Sequence, residues 1–198
     1  MIRNPNCRAC PLHAGARTVC INGDGPQDAD ILIVGQNPGQ QEDRQGRPFV
    51  GSSGKILRAQ VAKAALDGLK IRYTNVVRCL TPNNREPTLA EAKACRPYLD
   101  AEIAAIQPRY VVTAGGFATK LVLKKAKIST AHGQFIEMAP KGEVPAYTGY
   151  AVYHPAAALR DPSKLTVIGQ DLARLKRQID GTLGATQDAF SYRVVHTR

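Results

Sequence analysis

The side chains in this sequence best suited to chemistry lie just past apolar runs, in loops rich in glycine and proline. Gln36 and Asn37 follow ILIVG (31–35) and open the segment GQNPGQQEDRQGRPFVG (35–51). An amide carbonyl can hold and orient a water, but unlike a carboxylate it cannot take the water's proton. Phe49 stands inside GRPFVG, where its ring offers either a stacking face or an ordinary core aromatic. Asn75, in IRYTNVV (71–77), carries a donor and an acceptor on one planar amide, suited to reading a polar edge or to closing an Asx turn. His154 in YHPAAALR is pinned by Pro155. It can serve as an oriented hydrogen-bond donor or as a satisfied structural histidine.

The elements that must hold these groups alternate. ILIVG reads as a buried strand, followed by a polar loop and a helix around 53–65. IRYTNVV is a second strand, followed by the loop RCLTPNNREPT. Thr88 and Glu91 form a capping box that opens a helix over 89–106. RYVVTAGG (109–116) is a third strand ending in glycines at a helix start. GYAVYHP (149–155) is a fourth, with a helix over 163–179 after it. Such alternation predicts an α/β fold with a mostly parallel four-stranded sheet covered by helices. Ligands of open α/β sheets bind beyond the carboxyl ends of the strands, so the loops 35–51, 75–86, 114–117 and 154–160 are expected to converge.

The bulk composition narrows the partner. The chain has 198 residues, enough for one domain with a sizeable core, and no low-complexity tract or repeat. Twenty-seven Lys and Arg against 16 Asp and Glu give a net charge of +11 and a pI near 9.7, which favours a polyanionic partner, nucleic acid first. No apolar stretch reaches the roughly 18 residues of a membrane helix, and MIRNPNCRACPLH has no signal-peptide core. A cytoplasmic protein without membrane contact is expected. Its five cysteines (7, 10, 20, 79 and 95) are then not expected as structural disulfides.

Five segments together resemble the uracil-DNA glycosylase superfamily, specifically its iron–sulfur branch, often called family 4. They are CRACPLH (7–13), VGQNPGQQEDRQGRPFVGSSGKIL (34–57), TNVVRCLTPNNREPT (74–88), ACRPYL (94–99) and YHPAAALR (153–160). They run in family order across about 150 of the 198 residues. The resemblance implies a three-layer α/β/α sandwich and a monofunctional enzyme. Such an enzyme hydrolyses the N-glycosidic bond of a uracil, or related damaged or modified pyrimidine, flipped out of DNA, and leaves an abasic site. It implies that Phe49 stacks on the base, that Asn75 reads its O4 and N3–H, and that His154 donates to O2 as the base departs. Gly35 and Gly39 bring backbone close to the nucleotide, and Asn37 and Gln36 line its sugar side. Leu159 would wedge into the base stack, with Arg160 and Arg85 on DNA. Arg78 and Arg96 are further candidates to meet phosphates.

The first loop also departs from the family. Members of the iron–sulfur branch carry GE(A/G)PG, with Glu at the position of Gln36, while other branches carry GQDPY or GINPG. This chain combines Gln36 with Asn37 and has no carboxylate at either position. A slower enzyme that leans on His154 and on leaving-group quality is expected. The alternative is a catalytically weak DNA-binding module that keeps the scaffold and has lost the acid. Gly39 replaces the Tyr that screens out 5-methyl groups in the GQDPY branch. Glu42 and Asp43 match the family's ED and read as structural caps or as support for the water, and His132 as a turn or a DNA-backbone contact.

Cys7 and Cys10 form a C-x2-C; 68 residues separate them from Cys79, and C-x15-C leads to Cys95. The resemblance implies that these four hold a [4Fe–4S] cluster; zinc is the alternative, although zinc sites usually come as two close pairs. Cys20 has no such counterpart and reads as a buried free thiol. Residues 1–180 are expected as a single domain that includes the cluster site, acting as a monomer on DNA. Residues 181–198 are expected as an extension of unknown role.

Overall fold

The computed structural model describes residues 3–181. One sheet has the order β2-β1-β3-β5-β4, with β1 Ile31–Gly35, β2 Ile71–Asn75, β3 Tyr110–Ala114, β4 Phe135–Met138 and β5 Tyr147–Val152. β1 pairs in parallel with β2 and β3, and β3 with β5, while β4 runs antiparallel to β5. The expected four strands are therefore five. The strand missed is FIEM, four residues at the sheet edge and largely half-exposed. That is too short to display a period of two, and only its pairing with β5 identifies it.

β1, β2 and β3 are buried at every position, as befits parallel strands covered on both faces. Alternate residues feed opposite cores. Leu32, Val34 and Val111 pack with α3 (Leu89–Ile106) and α4 (Gly116–Val122). Ile31, Ile33 and Val112 pack with α2 (Ser52–Lys63) and α7 (Ser163–Ile179). The result is the expected three-layer α/β/α sandwich. α3 starts where the capping box predicts: the Glu91 N–H donates to Thr88 Oγ1 at 3.1 Å, and the Thr88 N–H donates to Glu91 Oε2 at 2.7 Å. Two short helices, α1 (Gln40–Gln45) and α6 (Ala156–Arg160), lie in segments that read as loops, and a third, α5 (Ile128–Ala131), in a segment with no sequence assignment.

The strand order reverses at β1, which has β2 on one side and β3 on the other. The carboxyl ends of β1, β2, β3 and β5 share one rim, the usual place for a ligand crevice. Gly35 and Asn75 are register partners there. Among the described residues no helix is long and apolar enough to cross a membrane. The expected C-terminal extension lies, from residue 182 on, outside the described residues.

Candidate active site

A cavity of about 440 Å³ opens at this rim. Gln36, Asn37, Gly39, Phe49, Asn75 and His154 all line it, so three of the four loops expected to converge do so directly. The fourth reaches it through Gly115, which packs on His154.

Gly35 lies beneath two of these side chains. A Cβ at this position would stand 2.4 Å from Asn75 Oδ1 and 2.6 Å from Phe49 Cζ, so the ring and the amide approach each other only over a bare backbone. Phe49 itself has φ +54°, a left-handed conformation that costs a bulky residue about 1–3 kcal/mol. Its neighbours hold it there. The N–H groups of Val50 and Gly51 donate to Glu42 Oε1 at 2.9 and 2.7 Å, and Arg58 Nε donates to the Phe49 carbonyl at 3.2 Å. Asn75 is 5% exposed, and no protein group among the described residues bonds its side-chain amide. Both ends of the amide are therefore open to the cavity, free to pair with a ligand there.

His154 is oriented from both sides. Gly115, at φ +96°, lies so close that a Cβ there would come within 2.9 Å of His154 Cβ. The Ala156 N–H donates to His154 Nδ1 at 3.1 Å. A backbone N–H can only donate, so Nδ1 carries the lone pair and the proton sits on Nε2. Burial, reinforced by the charge of Arg160, pushes the His154 pKa below its ordinary value, with Glu42 opposing. His154 is a neutral donor.

The carboxylates of the first loop are committed to structure. Besides Val50 and Gly51, Glu42 accepts the Gly39 N–H at 3.1 Å, so three backbone donors clasp it. Asp43 accepts the N–H groups of Arg17 and Thr18, each at 3.0 Å. Asn37 Nδ2 donates to the Pro38 carbonyl at 3.0 Å and to Thr81 Oγ1 at 3.2 Å, which leaves Oδ1 as the open end of that amide. The half-buried Gln36 completes this wall.

Residues 22–177 match the family described as the uracil DNA glycosylase superfamily. The chain belongs to this superfamily. Among its relatives, a type-4 uracil-DNA glycosylase of Sulfurisphaera tokodaii is 35% identical over 178 residues, 86% of this chain and 79% of the relative. One from Archaeoglobus fulgidus is 38% identical over 162 residues, 79% of this chain and 80% of the relative. One from Thermotoga maritima is 35% identical over 179 residues, 88% of this chain and 90% of the relative.

This superfamily member brings its cysteines near one another. Cys7 and Cys10 come from the N-terminal segment, Cys79 from the chain beyond β2 and Cys95 from α3; all are free thiols. Burial raises the Cys79 and Cys95 thiols to about 11 and about 12, with the neighbouring cysteines adding to the effect. Cys20 is buried as expected, yet it is not remote from the set. Its N–H donates to Cys79 Sγ at 3.3 Å. Among the described residues no three His, Cys, Asp or Glu side chains close on a point that one metal ion would occupy.

The expected DNA contacts divide. Leu159 is 61% exposed on α6, and Arg160 lines the cavity mouth. Arg85 instead gives both guanidinium ends to Glu91, at 2.9 and 2.6 Å. Arg78 is buried against Glu102, and Arg96 bonds Asp100 and the Leu121 carbonyl, so neither is presented to a phosphate. His132 bonds Asp171 at 2.9 Å and packs on Tyr153, which makes it a structural residue. Ser53 and Asn84 line the cavity without having been anticipated. Asn84 had a local signal, because adjacent asparagines in PNNR favour the left-handed turn that both adopt. Thr81 had none.

Proposed function

We propose that this chain is a monofunctional DNA glycosylase that hydrolyses the N-glycosidic bond of a flipped-out uracil and leaves an abasic site. The observation that carries this is the meeting of three unlike groups at one cavity: the Phe49 ring, the open Asn75 amide and the neutral His154 donor. The names of the relatives, type-4 uracil-DNA glycosylases, support it.

Extrusion of a base costs a few kcal/mol of stacking and pairing, which a snug pocket returns. Phe49 replaces the lost stacking, and the Asn75 amide pairs its donor with O4 and its acceptor with N3–H. As the C1′–N1 bond lengthens, electrons collect on the base and positive charge on the sugar. His154 Nε2–H meets the charge growing at O2. Asn37 Oδ1, with Gln36 beside it, holds the water that adds to C1′; the water's proton leaves to solvent and the departing base takes one up. Glu42 lines the same cavity, but its three N–H partners keep it in place as a clasp, so stabilisation of the leaving base carries most of the rate. Leu159 and Arg160 engage the duplex beside the flipped nucleotide. A monomer acting in the cytoplasm remains the reading, and five free thiols suit that reducing compartment.

Cys7, Cys10, Cys79 and Cys95 would hold a [4Fe–4S] cluster. One zinc ion draws four sulfurs to about 2.3 Å from a single point, whereas a cube of four irons takes one thiolate per corner and wants them farther apart. The choice of a cluster over zinc rests on the relatives' family, while the thiols lie near enough for Cys79 to feel the charges of Cys7 and Cys10, and Cys95 those of Cys10 and Cys79. When bound, such a group supplies a covalent staple that ties the N-terminal segment to the chain beyond β2 and to α3.

The deciding experiment measures base release from oligonucleotides containing U:G, U:A, single-stranded U, T:G, hypoxanthine or a 5-hydroxymethyl pyrimidine, with abasic sites revealed by alkali. Uracil release is expected. Tight binding without release from any substrate would make the chain a DNA-binding module. Asn75→Asp is expected to change the ranking of bases in this panel more than DNA affinity, because one donor becomes an acceptor; an unchanged ranking would remove Asn75 from base reading. Gly35→Ala is expected to slow uracil release by on the order of 10², the cost of misplacing a reacting group by about 1 Å. Single-turnover rates at matched DNA occupancy check this, and a rate within twofold of wild type would show that Phe49 and Asn75 need no bare backbone between them.

A further inference from the structure

We infer that Thr81 is a positioning residue for the Asn37 amide, and that its hydroxyl makes position 37 a site for asparagine rather than aspartate. This deepens, and rests on, the glycosylase function proposed above.

Thr81 is 1% exposed at the end of the segment that follows β2, and its hydroxyl has a single proton. That proton goes to the Arg85 carbonyl, 2.6 Å away. Toward Asn37 Nδ2, at 3.2 Å, Thr81 Oγ1 can therefore only accept. The second partner of Nδ2 is the Pro38 carbonyl, at 3.0 Å, which also can only accept. Two obligate acceptors thus take the amide's two N–H bonds. A flipped amide would set Oδ1 against both lone pairs, so the carbonyl is left on the open side, where it can hold a water. A carboxylate at position 37 would meet the Pro38 lone pair with no proton between them, and could gain the Thr81 proton only by taking it from the Arg85 carbonyl.

The clasp is anchored well away from the cavity. The Arg85 backbone N–H donates to the Pro82 carbonyl at 3.1 Å, and its guanidinium is fixed by Glu91. The neighbouring Arg85 charge and the Thr88 N–H hold Glu91 down at about 2, so it stays charged throughout any assay range. Glu91 is itself the capping residue at the start of α3. A line of hydrogen bonds therefore runs from that helix start through Glu91, Arg85 and Thr81 to Asn37. Arg85 acts on the site from within, through its carbonyl, rather than on a phosphate. Beside the GQDPY branch, an amide at position 37 reads as a missing carboxylate; Thr81 supplies a physical reason why an amide belongs there.

The test is a double-mutant cycle on single-turnover uracil release, with DNA affinity and thermal midpoint measured alongside. Thr81→Val is expected to slow release about tenfold, the scale of one neutral hydrogen bond, with DNA affinity unchanged. Thr81→Ser is expected to restore the rate. In the Asn37→Ala protein, Thr81→Val is expected to cost nothing further, because the group it positions is gone. Asn37→Asp is expected to be slow, and adding Thr81→Val to recover part of that loss. Equal costs of Thr81→Val in the wild-type and Asn37→Ala backgrounds would overturn the inference, since a merely structural threonine acts alike in both. Should the valine variant not fold, hydrogen exchange of the Asn37 side-chain NH₂ in the 15N-labelled wild-type protein decides: slow exchange supports the clasp, and exchange at the rate of a free amide overturns it. A wild-type protein that releases no base from any oligonucleotide would instead sink the glycosylase function, an outcome distinct from an active enzyme with an additive cycle.

Discussion

Replacing His154 by alanine is expected to slow uracil release by about 10²–10³-fold with little change in DNA affinity. That range is the usual cost of removing one preorganised donor from a site of developing negative charge. Two features place this protein toward its upper end. The imidazole is oriented before substrate arrives, by the Ala156 N–H on Nδ1 and by the close Gly115 backbone, so nothing must reorganise in the transition state. The sugar side also lacks a free carboxylate: Asn37 is an amide, and Glu42 is clasped by three N–H groups. With less stabilisation of the cationic sugar, more of the barrier is lowered at the leaving base. Single-turnover rates on a U:G duplex under saturating protein test this, and an alanine variant within about fivefold of wild type would remove His154 from the mechanism.

The pH profile follows from the same geometry. The His154 pKa is lowered below its ordinary 6.5, first by burial and then by Arg160. Protonation would add an N–H at Nδ1 directly facing the Ala156 N–H. The neutral ring is therefore the working form, and release is expected to stay level down through pH 6.5 and to fall only below it. The sign for stability is the same. A depressed pKa means the fold favours the neutral form, so the contribution is complete above the unfolded value and is lost as pH falls through the folded one. A rate that rises as the pH is lowered through this range would identify imidazolium as the donor. The alanine variant should lack this acid limb.

The regular elements were legible because each carried its own local signal. α3 runs over the residues that the Thr88–Glu91 box and the apolar spacing predict, and α7 likewise. The parallel strands stood out as β-branched runs because both of their faces are buried. β4 did not, because FIEM at a sheet edge needs only one covered face and is too short to alternate visibly. α1 was hidden for another reason. QQEDRQ has no apolar residue, and what holds it is the reach of Glu42 back to Gly39 and forward to Val50 and Gly51, a tertiary fact. The same divide runs through the site. Phe49, Asn75 and His154 could be named as candidates by residue type and place, but it was the family resemblance that chose between their site and structural readings; all three line the cavity. The destinations of the arginines could not, since Arg78 meets a carboxylate 24 positions away and nothing in RCLTPNNR distinguishes a buried guanidinium from an exposed one. Thr81 escaped because its role depends on where one hydroxyl proton points.

Glu102→Ala is expected to destabilise the protein by about 3–5 kcal/mol, the cost of leaving a buried ion pair with one partner removed. The inaccessible Glu102 carboxylate lies between two buried guanidinium groups: Arg72 Nε at 2.7 Å and Arg78 Nη2 at 2.5 Å. Both arginines are also tied to backbone, Arg72 to the Gly25 carbonyl and Arg78 to the Tyr98 carbonyl, so neither can swing out to water without breaking more structure. Alanine would take the shared Glu102 charge away from both buried cations, against a typical total stability of only about 5–15 kcal/mol. The consequence reaches the cysteines. Arg78 directly precedes Cys79, and Glu102 sits on the same helix as Cys95, so this pair draws the chain beyond β2 onto α3 where the two thiols meet. Chemical denaturation of wild type and variant, each with the same iron content, measures the effect. A loss below about 1 kcal/mol would mean that the arginines find other partners. The replacement of all three residues by apolar side chains of similar volume is expected to cost far less than the single alanine, because a triad removed whole strands no charge. That contrast separates a geometric tie between β2 and α3 from a simple need for burial, and an apolar triple variant that binds iron as the wild type does would support close approach of the two segments, rather than charge, as what the proposed cluster site requires.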